Sequence, residues 1–188
     1  MSRSTLSLLC LVAMLVLGLT APMATAGDHA KANATLSFGA WQTEPPLDRF
    51  PASSPGERNE HRVLPHRVKI KAGGAVNFII SSFHQVIVYD AGTRPDDIDA
   101  TNTTPSTGIP AEVPLINDAQ DRIYRGLDPS RLALLGVPVQ DPPVPLGVRD
   151  RVEVVHFPKP GKYLVICGVQ DHFVEDQMFE FVKVEEGV

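Results

Sequence analysis

The sequence predicts an all-β protein, a β-sandwich that carries a long Pro-rich insertion with short helices. Short apolar or alternating runs separated by turn residues are typical of a sandwich. Such runs occupy residues 67–90 and 151–188, with a strong turn signal at residues 158–161 (Pro-Lys-Pro-Gly). Residues 91–150 lie between them, hold most of the prolines and lack the periodic apolar pattern that a separate core needs.

The individual strands follow from these patterns. Alternating or apolar runs predict strands over residues 68–70, 76–80, 86–89, 152–157, 162–167 and 178–184, and a further strand is compatible with residues 34–38. The sequence Ala-Gly-Gly at residues 72–74 is interpreted as a break between two strands. Within the insertion, residues 118–125 and 129–135 are predicted as short helices, the second capped by Asp128. We expect residues 91–150 to be a long insertion between two strands, and not a second domain.

The first residues are interpreted as a secretory signal. Arg3 precedes an apolar run over residues 6–19, and small residues follow at 24–26. The run is short for a membrane span. We therefore expect residues 1–26 to be removed and the mature form, residues 27–188, to be exported without a membrane span. It would be periplasmic in a Gram-negative bacterium and secreted otherwise. Residues 27–60, which are polar and turn-rich, are interpreted as an N-terminal arm.

Composition limits the possible partners. The chain of 188 residues has a formal net charge of −5 and is 43% hydrophobic, which is sufficient for a folded core. A mildly acidic domain argues against nucleic acid as a partner. The sequence does not determine the oligomeric state.

The cysteine count is the most informative number. Removal of residues 1–26 also removes Cys10 and leaves Cys167 as the single cysteine. Exported proteins usually pair their cysteines. A remaining thiol is therefore reactive, paired with another molecule, a metal ligand or a buried inert side chain.

Three potential metal donors lie close to one another in sequence. Cys167 ends an apolar run, His172 lies in the segment that follows, and Met178 opens the next predicted strand. A second histidine is available in His84, at the start of the 86–89 run. Thiolate and imidazole are ligands that copper prefers, and a His₂Cys set with a weak axial thioether suits one-electron exchange. The sequence thus points to copper as the cofactor.

These segments resemble the cupredoxin family of plastocyanin- and azurin-like proteins. Residues 84–89 (His-Gln-Val-Ile-Val-Tyr) are similar to the family's stretch around its first copper ligand, with Gln85 in place of the usual Asn. Residues 157–167 are similar to its Pro-Gly-x-Tyr approach to the cysteine. The resemblance implies a cupredoxin-like Greek-key β-sandwich in which His84, Cys167 and His172 are equatorial copper ligands and Met178 is the axial ligand. It also implies an electron carrier that serves redox partner proteins.

The axial position has a second candidate. Gln177 directly precedes Met178, and some phytocyanin-like members of the family use glutamine there. The strand phase favours Met178, and a thioether is the commoner axial donor.

Other functions receive less support from the sequence. The chain has six histidines and no His-x-His pair, which a copper oxidase or reductase would commonly use for further copper ions. A non-redox copper carrier, or a binding module with this fold, is the alternative to an electron carrier. His61, His66 and His156 are interpreted as structural or surface residues.

Overall fold

The computed structural model describes residues 30–41, 59–107, 111–130 and 150–187, and within them almost all regular structure is β-strand. A five-residue helix, α1 (Gln170–Val174), and a 3₁₀ turn at Pro95–Asp97 are the helical pieces of the described ranges. The strands are β1 (Lys31–Trp41), β2 (Asn59–Leu64), β3 (Val68–Ile80), β4 (Val86–Ala91), β5 (Thr103–Pro105), β6 (Pro114–Ile116), β7 (Arg122–Arg125), β8 (Arg151–Phe157), β9 (Gly161–Cys167) and β10 (Phe179–Glu185).

Eight of the ten described strands form two sheets that share β3, and β5 pairs with β6 in a separate two-stranded sheet. The first sheet has the order β2-β1-β3-β8, and the second has the order β3-β10-β9-β4-β7. Buried side chains of both sheets, from Leu36 and Phe38 in β1 to Val182 and Val184 in β10, enclose one core. The predicted all-β Greek-key sandwich is confirmed.

The shared strand passes from one sheet to the other at its glycines. Residues 68–71 of β3 pair with β10, whereas residues 74–80 pair with β8. Gly73 has φ of +83°, and a Cβ on Gly74 would lie 1.9 Å from the carbonyl oxygen of Ala32. Glycine is favoured at position 73 by its conformation and at position 74 by the lack of space for a side chain. The glycine pair therefore bends one continuous strand, where the sequence predicted a break between two strands.

The insertion differs from its prediction. Residues 118–125 are not a helix: Arg122–Arg125 is the edge strand β7, antiparallel to β4. Most of the second predicted helix, at 129–135, lies outside the described residues. Insertion residues Ile98, Ala100 and Ile116 pack with Ile87 and Leu164 of the second sheet in a smaller core on its outer face. The described part of the insertion therefore contributes a strand and buried side chains to the sandwich.

The predicted N-terminal arm also contributes to the sandwich. Residues 31–41 form β1, which is longer than the 34–38 strand suggested by the sequence, and residues 59–64 form β2. The predicted signal, residues 1–26, lies outside the described residues. No helix in the described ranges is long and apolar enough to cross a membrane.

Candidate metal centre

Three side chains that the sequence singled out converge at one end of the sandwich. The Cys167 Sγ lies 3.7 Å from His84 Nδ1 and 3.6 Å from His172 Nδ1, and the two imidazole nitrogens are 3.0 Å apart. A point equidistant from three atoms with these separations lies about 2.0 Å from each, close to the length of a metal–imidazole bond. The three donor atoms thus have the spacing that a single metal ion requires.

Strand register brings His84 to Cys167. Cys167, the last residue of β9, pairs with Val86, the first residue of β4. His84 precedes β4 by two residues and so lies at the same end of the sheet. The Gly168 amide donates to the carbonyl oxygen of Gln85 at 2.7 Å and ties the two segments together. The contact is made by the main chain, so it does not need the asparagine that the family usually has at position 85.

Main-chain contact also fixes the orientation of the His84 ring. A Cβ on Gly39 of β1 would lie 2.6 Å from His84 Nε2. The backbone of β1 therefore covers the Nε2 side of the ring, and Nδ1 is the nitrogen that faces Cys167 and His172.

His172 and Met178 are positioned by the segment between β9 and β10. His172 lies on α1, where the sequence predicted only a loop. The Met178 amide donates to the His172 carbonyl oxygen at 2.8 Å, and the Cys167 amide donates to the Met178 carbonyl oxygen at 2.9 Å. The main chain of Met178 thus joins the residues that carry the thiol and the second imidazole.

The two axial candidates have opposite environments. Met178 is 1% exposed and belongs to the same core cluster as Cys167. Gln177 is exposed, has φ of +53° and lines a surface cavity together with His61 and Asp176. A thioether is therefore available on the interior side of the site, while the Gln177 amide lies on the solvent side.

Burial keeps the three donors neutral when no metal is present. Burial, with smaller contributions from His172 and His61, lowers the pKa of His84 to about 2. Burial and then His61 lower the pKa of His172 to about 4. Burial raises the pKa of the Cys167 thiol to about 12, although backbone N–H groups of Gln85 and Val169 donate to the sulfur and oppose this rise. Neutral imidazoles are ready to bind a metal, whereas the thiol must lose a proton.

These pKa values predict that the metal-free protein loses stability in mild acid. The unfolded histidines titrate near pH 6.5, so below this pH the unfolded chain takes up protons that folded His84 and His172 do not. The free energy of unfolding should fall as the pH drops from 6.5 towards 5, by up to about 1.4 kcal/mol per pH unit for each histidine. Denaturant titrations of the metal-free protein would measure this slope. His156→Ala, which removes an exposed imidazole, should leave it unchanged; an equally flat profile in both proteins would contradict the prediction.

A buried ion pair supports the His84 segment from behind. The Arg151 Nε donates to Glu153 Oε1 at 2.6 Å, and the two side chains are only 9% and 6% exposed. The Arg151 Nη2 donates to the His84 carbonyl oxygen at 3.0 Å. Glu153 also accepts hydrogen bonds from the Tyr124 hydroxyl at 2.6 Å and the Leu127 amide at 3.2 Å. The network joins β8 and the segment from Tyr124 to Leu127 to the main chain of His84.

His61 is a residue whose position the sequence analysis missed. Its ring is stacked on His172, with centroids 3.8 Å apart and planes inclined by 26°, and its centroid lies 5.4 Å from that of His84. One ring nitrogen from each of these three histidines lies within 4.8 Å of the others. His61, interpreted from the sequence as a structural or surface residue, therefore lies directly beside the candidate donors. No local signal could have revealed it, because it comes from β2 and its neighbours are polar.

Comparisons with known proteins give the following similarities. No protein-family model and no curated protein sequence matches the chain at a significant level. Among solved structures, it is similar to reduced auracyanin from Roseiflexus castenholzii, with TM-score 0.45 and 15% identity over 84% of this chain and 99% of that chain. It is also similar to auracyanin A, a "blue" copper protein from Chloroflexus aurantiacus, with TM-score 0.43 and 15% identity over 81% and 98%. Oxidized plastocyanin from Dryopteris crassirhizoma gives TM-score 0.35 and 14% identity over 80% and 99%. These neighbours are all cupredoxins, the family that the residues around His84 and Cys167 resemble.

Proposed function

We propose that this protein is an exported, mononuclear type 1 copper protein that carries single electrons between partner proteins and is not itself an enzyme. His84, Cys167 and His172 would hold the ion equatorially, and Met178 would be the weak axial ligand. The observation that carries the proposal is the triangle of one sulfur and two nitrogens, with sides of 3.0 to 3.7 Å. One thiolate with two imidazoles and a thioether is the donor set of electron-transfer copper sites.

The donor set fits copper and determines what each residue would do. Bound copper would supply a one-electron couple between Cu(II) and Cu(I). Cys167, fully buried, would provide the thiolate, with its charge stabilised by the backbone N–H groups of Gln85 and Val169. His84 would be fixed by Arg151 and by the backbone of Gly39. A site that is held by β-sheet, with Cys167 and His84 buried, needs little rearrangement when its charge changes, which favours fast electron transfer.

A single spectrum tests the proposal. Metal-free protein given one equivalent of Cu(II) should develop an intense visible band from charge transfer between the thiolate and copper. Protein that binds copper without this band would contradict a type 1 site and favour a non-redox carrier. Protein that binds no copper would favour a binding module without a metal.

The axial assignment has its own prediction. Met178→Leu should keep the visible band and raise the reduction potential, because a weak donor that stabilises Cu(II) is lost while the three equatorial ligands remain. Gln177→Leu is the control, since Gln177 lies on the exposed side of the same segment. Voltammetry of both variants gives the comparison. A potential that moves in Gln177→Leu but not in Met178→Leu would reverse the assignment.

A further inference from the structure

The residues of the candidate metal site differ in their exposure to solvent. Cys167 and His84 are 0% and 1% exposed, and His172 has intermediate exposure. The side chains of His61 and Asp176 are 38% and 43% exposed. They border a surface cavity of about 450 Å³. An ion that reaches the buried thiol from this side meets His61 first.

The geometry around His61 suits a metal ligand. One ring nitrogen of His61 lies within 4.8 Å of a ring nitrogen of His172 and of a ring nitrogen of His84. Two metal–imidazole bonds of about 2.0–2.1 Å span up to about 4 Å. To share an ion, His61 and His172 would therefore have to approach by up to about 1 Å and rotate out of their stacked arrangement. The His61 side chain is 38% exposed, so it is the ring with space to rotate.

Asp176 prepares His61 for this role. The His61 Nδ1 lies 2.5 Å from Asp176 Oδ2. In the tautomer that carries its proton on Nδ1, His61 donates to this carboxylate and its Nε2 lone pair is available to a metal. Metal-binding histidines commonly have such a carboxylate on the second ring nitrogen, which fixes the tautomer and increases the basicity of the ligand.

We propose that His61 and His172 form an outer site that captures a copper ion from solvent and transfers it to the inner site. The inference rests on the proposed function. In the transfer His61 would give up the ion, Cys167 and His84 would become its new donors, and His172 would remain a ligand. The thiol proton is released to water, and no electron moves. His61 is therefore a ligand for uptake, not for the mature site.

Stopped-flow mixing of metal-free protein with Cu(II) sulfate tests this by separating the rate of band formation from its final intensity. His61→Ala and His61→Phe should reach the wild-type spectrum, but with a rate lower by about tenfold or more, the scale of effects on metal binding when a supporting group is lost. His61→Phe keeps a ring against His172 and has no ligand atom. Asp176→Asn should also be slower. His66→Ala, which removes an exposed imidazole at the same cavity, is the control and should keep the wild-type rate.

Each outcome distinguishes the two proposals. If His61→Phe forms the band at the wild-type rate, His61 acts only by packing and the uptake role fails. A faster reaction in His61→Ala would mean that His61 shields the site, which also overturns it. An equal slowing in His66→Ala would show a general effect of surface imidazoles and would overturn it too. If a His61 variant unfolds, as seen by circular dichroism, the rate of band formation in Asp176→Asn tests the uptake role instead. A slower rate supports that role, and the wild-type rate contradicts it. A wild-type protein that never develops the band contradicts the proposed function itself.

Discussion

Cys167→Ser is expected to abolish the intense visible band of the copper-loaded protein and to leave the sandwich folded. The band requires a thiolate bonded to copper, and no other cysteine remains after residue 26. Serine is close in size and can accept the same backbone N–H bonds from Gln85 and Val169, so the fold should persist. Absorption and electron paramagnetic resonance spectra of Cu(II)-loaded protein measure the effect. A colourless Cu(II) site on His84 and His172 should be the residual species.

Two histidine variants extend this test: His84→Ala removes a proposed ligand, and His156→Ala is the negative control. His84→Ala should also remove the band, since it removes one of the three donor atoms. His156→Ala removes an exposed imidazole on β8 and should have no effect. Retention of a full-intensity band in Cys167→Ser would show that the thiolate is not the chromophore and would overturn the copper assignment.

Arg151→Met is expected to destabilise the protein strongly and to disturb the copper spectrum at the same time. The substitution leaves Glu153 buried without its cation, and breaking a buried pair in this way costs about 3–5 kcal/mol. It also removes the hydrogen bond from Arg151 to the His84 carbonyl oxygen. Denaturant unfolding would give the stability, and the position of the visible band would report the geometry of the site.

Two further variants distinguish the loss of the buried ion pair from a general effect of removing a charged side chain. Arg94→Met breaks an exposed pair with Asp97 and should leave stability almost unchanged, because solvent screens exposed pairs. The double variant Arg151→Met/Glu153→Leu leaves no unpaired charge and should recover much of the stability. It should not recover the wild-type band position, because the hydrogen bond to His84 is still missing. Full recovery of the spectrum in the double variant would contradict a positioning role for Arg151.

Local sequence predicted the strands at whose ends the candidate donors lie. The runs before His84 and Cys167 are apolar and bounded by turn residues, so their conformation is encoded nearby. The order of Cys167, His172 and Met178 placed these residues in one strand–loop–strand unit. The structure adds their register, which determines that Cys167 and His84 meet.

The features that were missed depend on contacts between distant segments. The segment at residues 118–125 is short and polar, and becomes a strand because β4 offers an edge to pair with. His61 is separated from Asp176 by 115 positions, and no pattern within β2 indicates that its ring reaches the site. Arg151 and Glu153 alternate with exposed valines in β8, so their sequence pattern is that of an ordinary solvent-exposed polar face. In the folded protein the pair is buried.

Main-chain hydrogen bonds, rather than the donor side chains, hold the ligand segments together at this end of the sandwich. The Cys167 amide is bonded to the Met178 carbonyl oxygen, the Met178 amide to that of His172, and the Gly168 amide to that of Gln85. Every amino acid except proline can make such bonds. The backbone therefore tolerates a change of donor: a single substitution at position 178 could introduce an imidazole or a carboxylate at the same point in space. If the proposed copper site is present, metal preference and redox potential can diverge here by point mutation while the main-chain architecture stays the same, and the site is a starting point for the redesign of metal specificity.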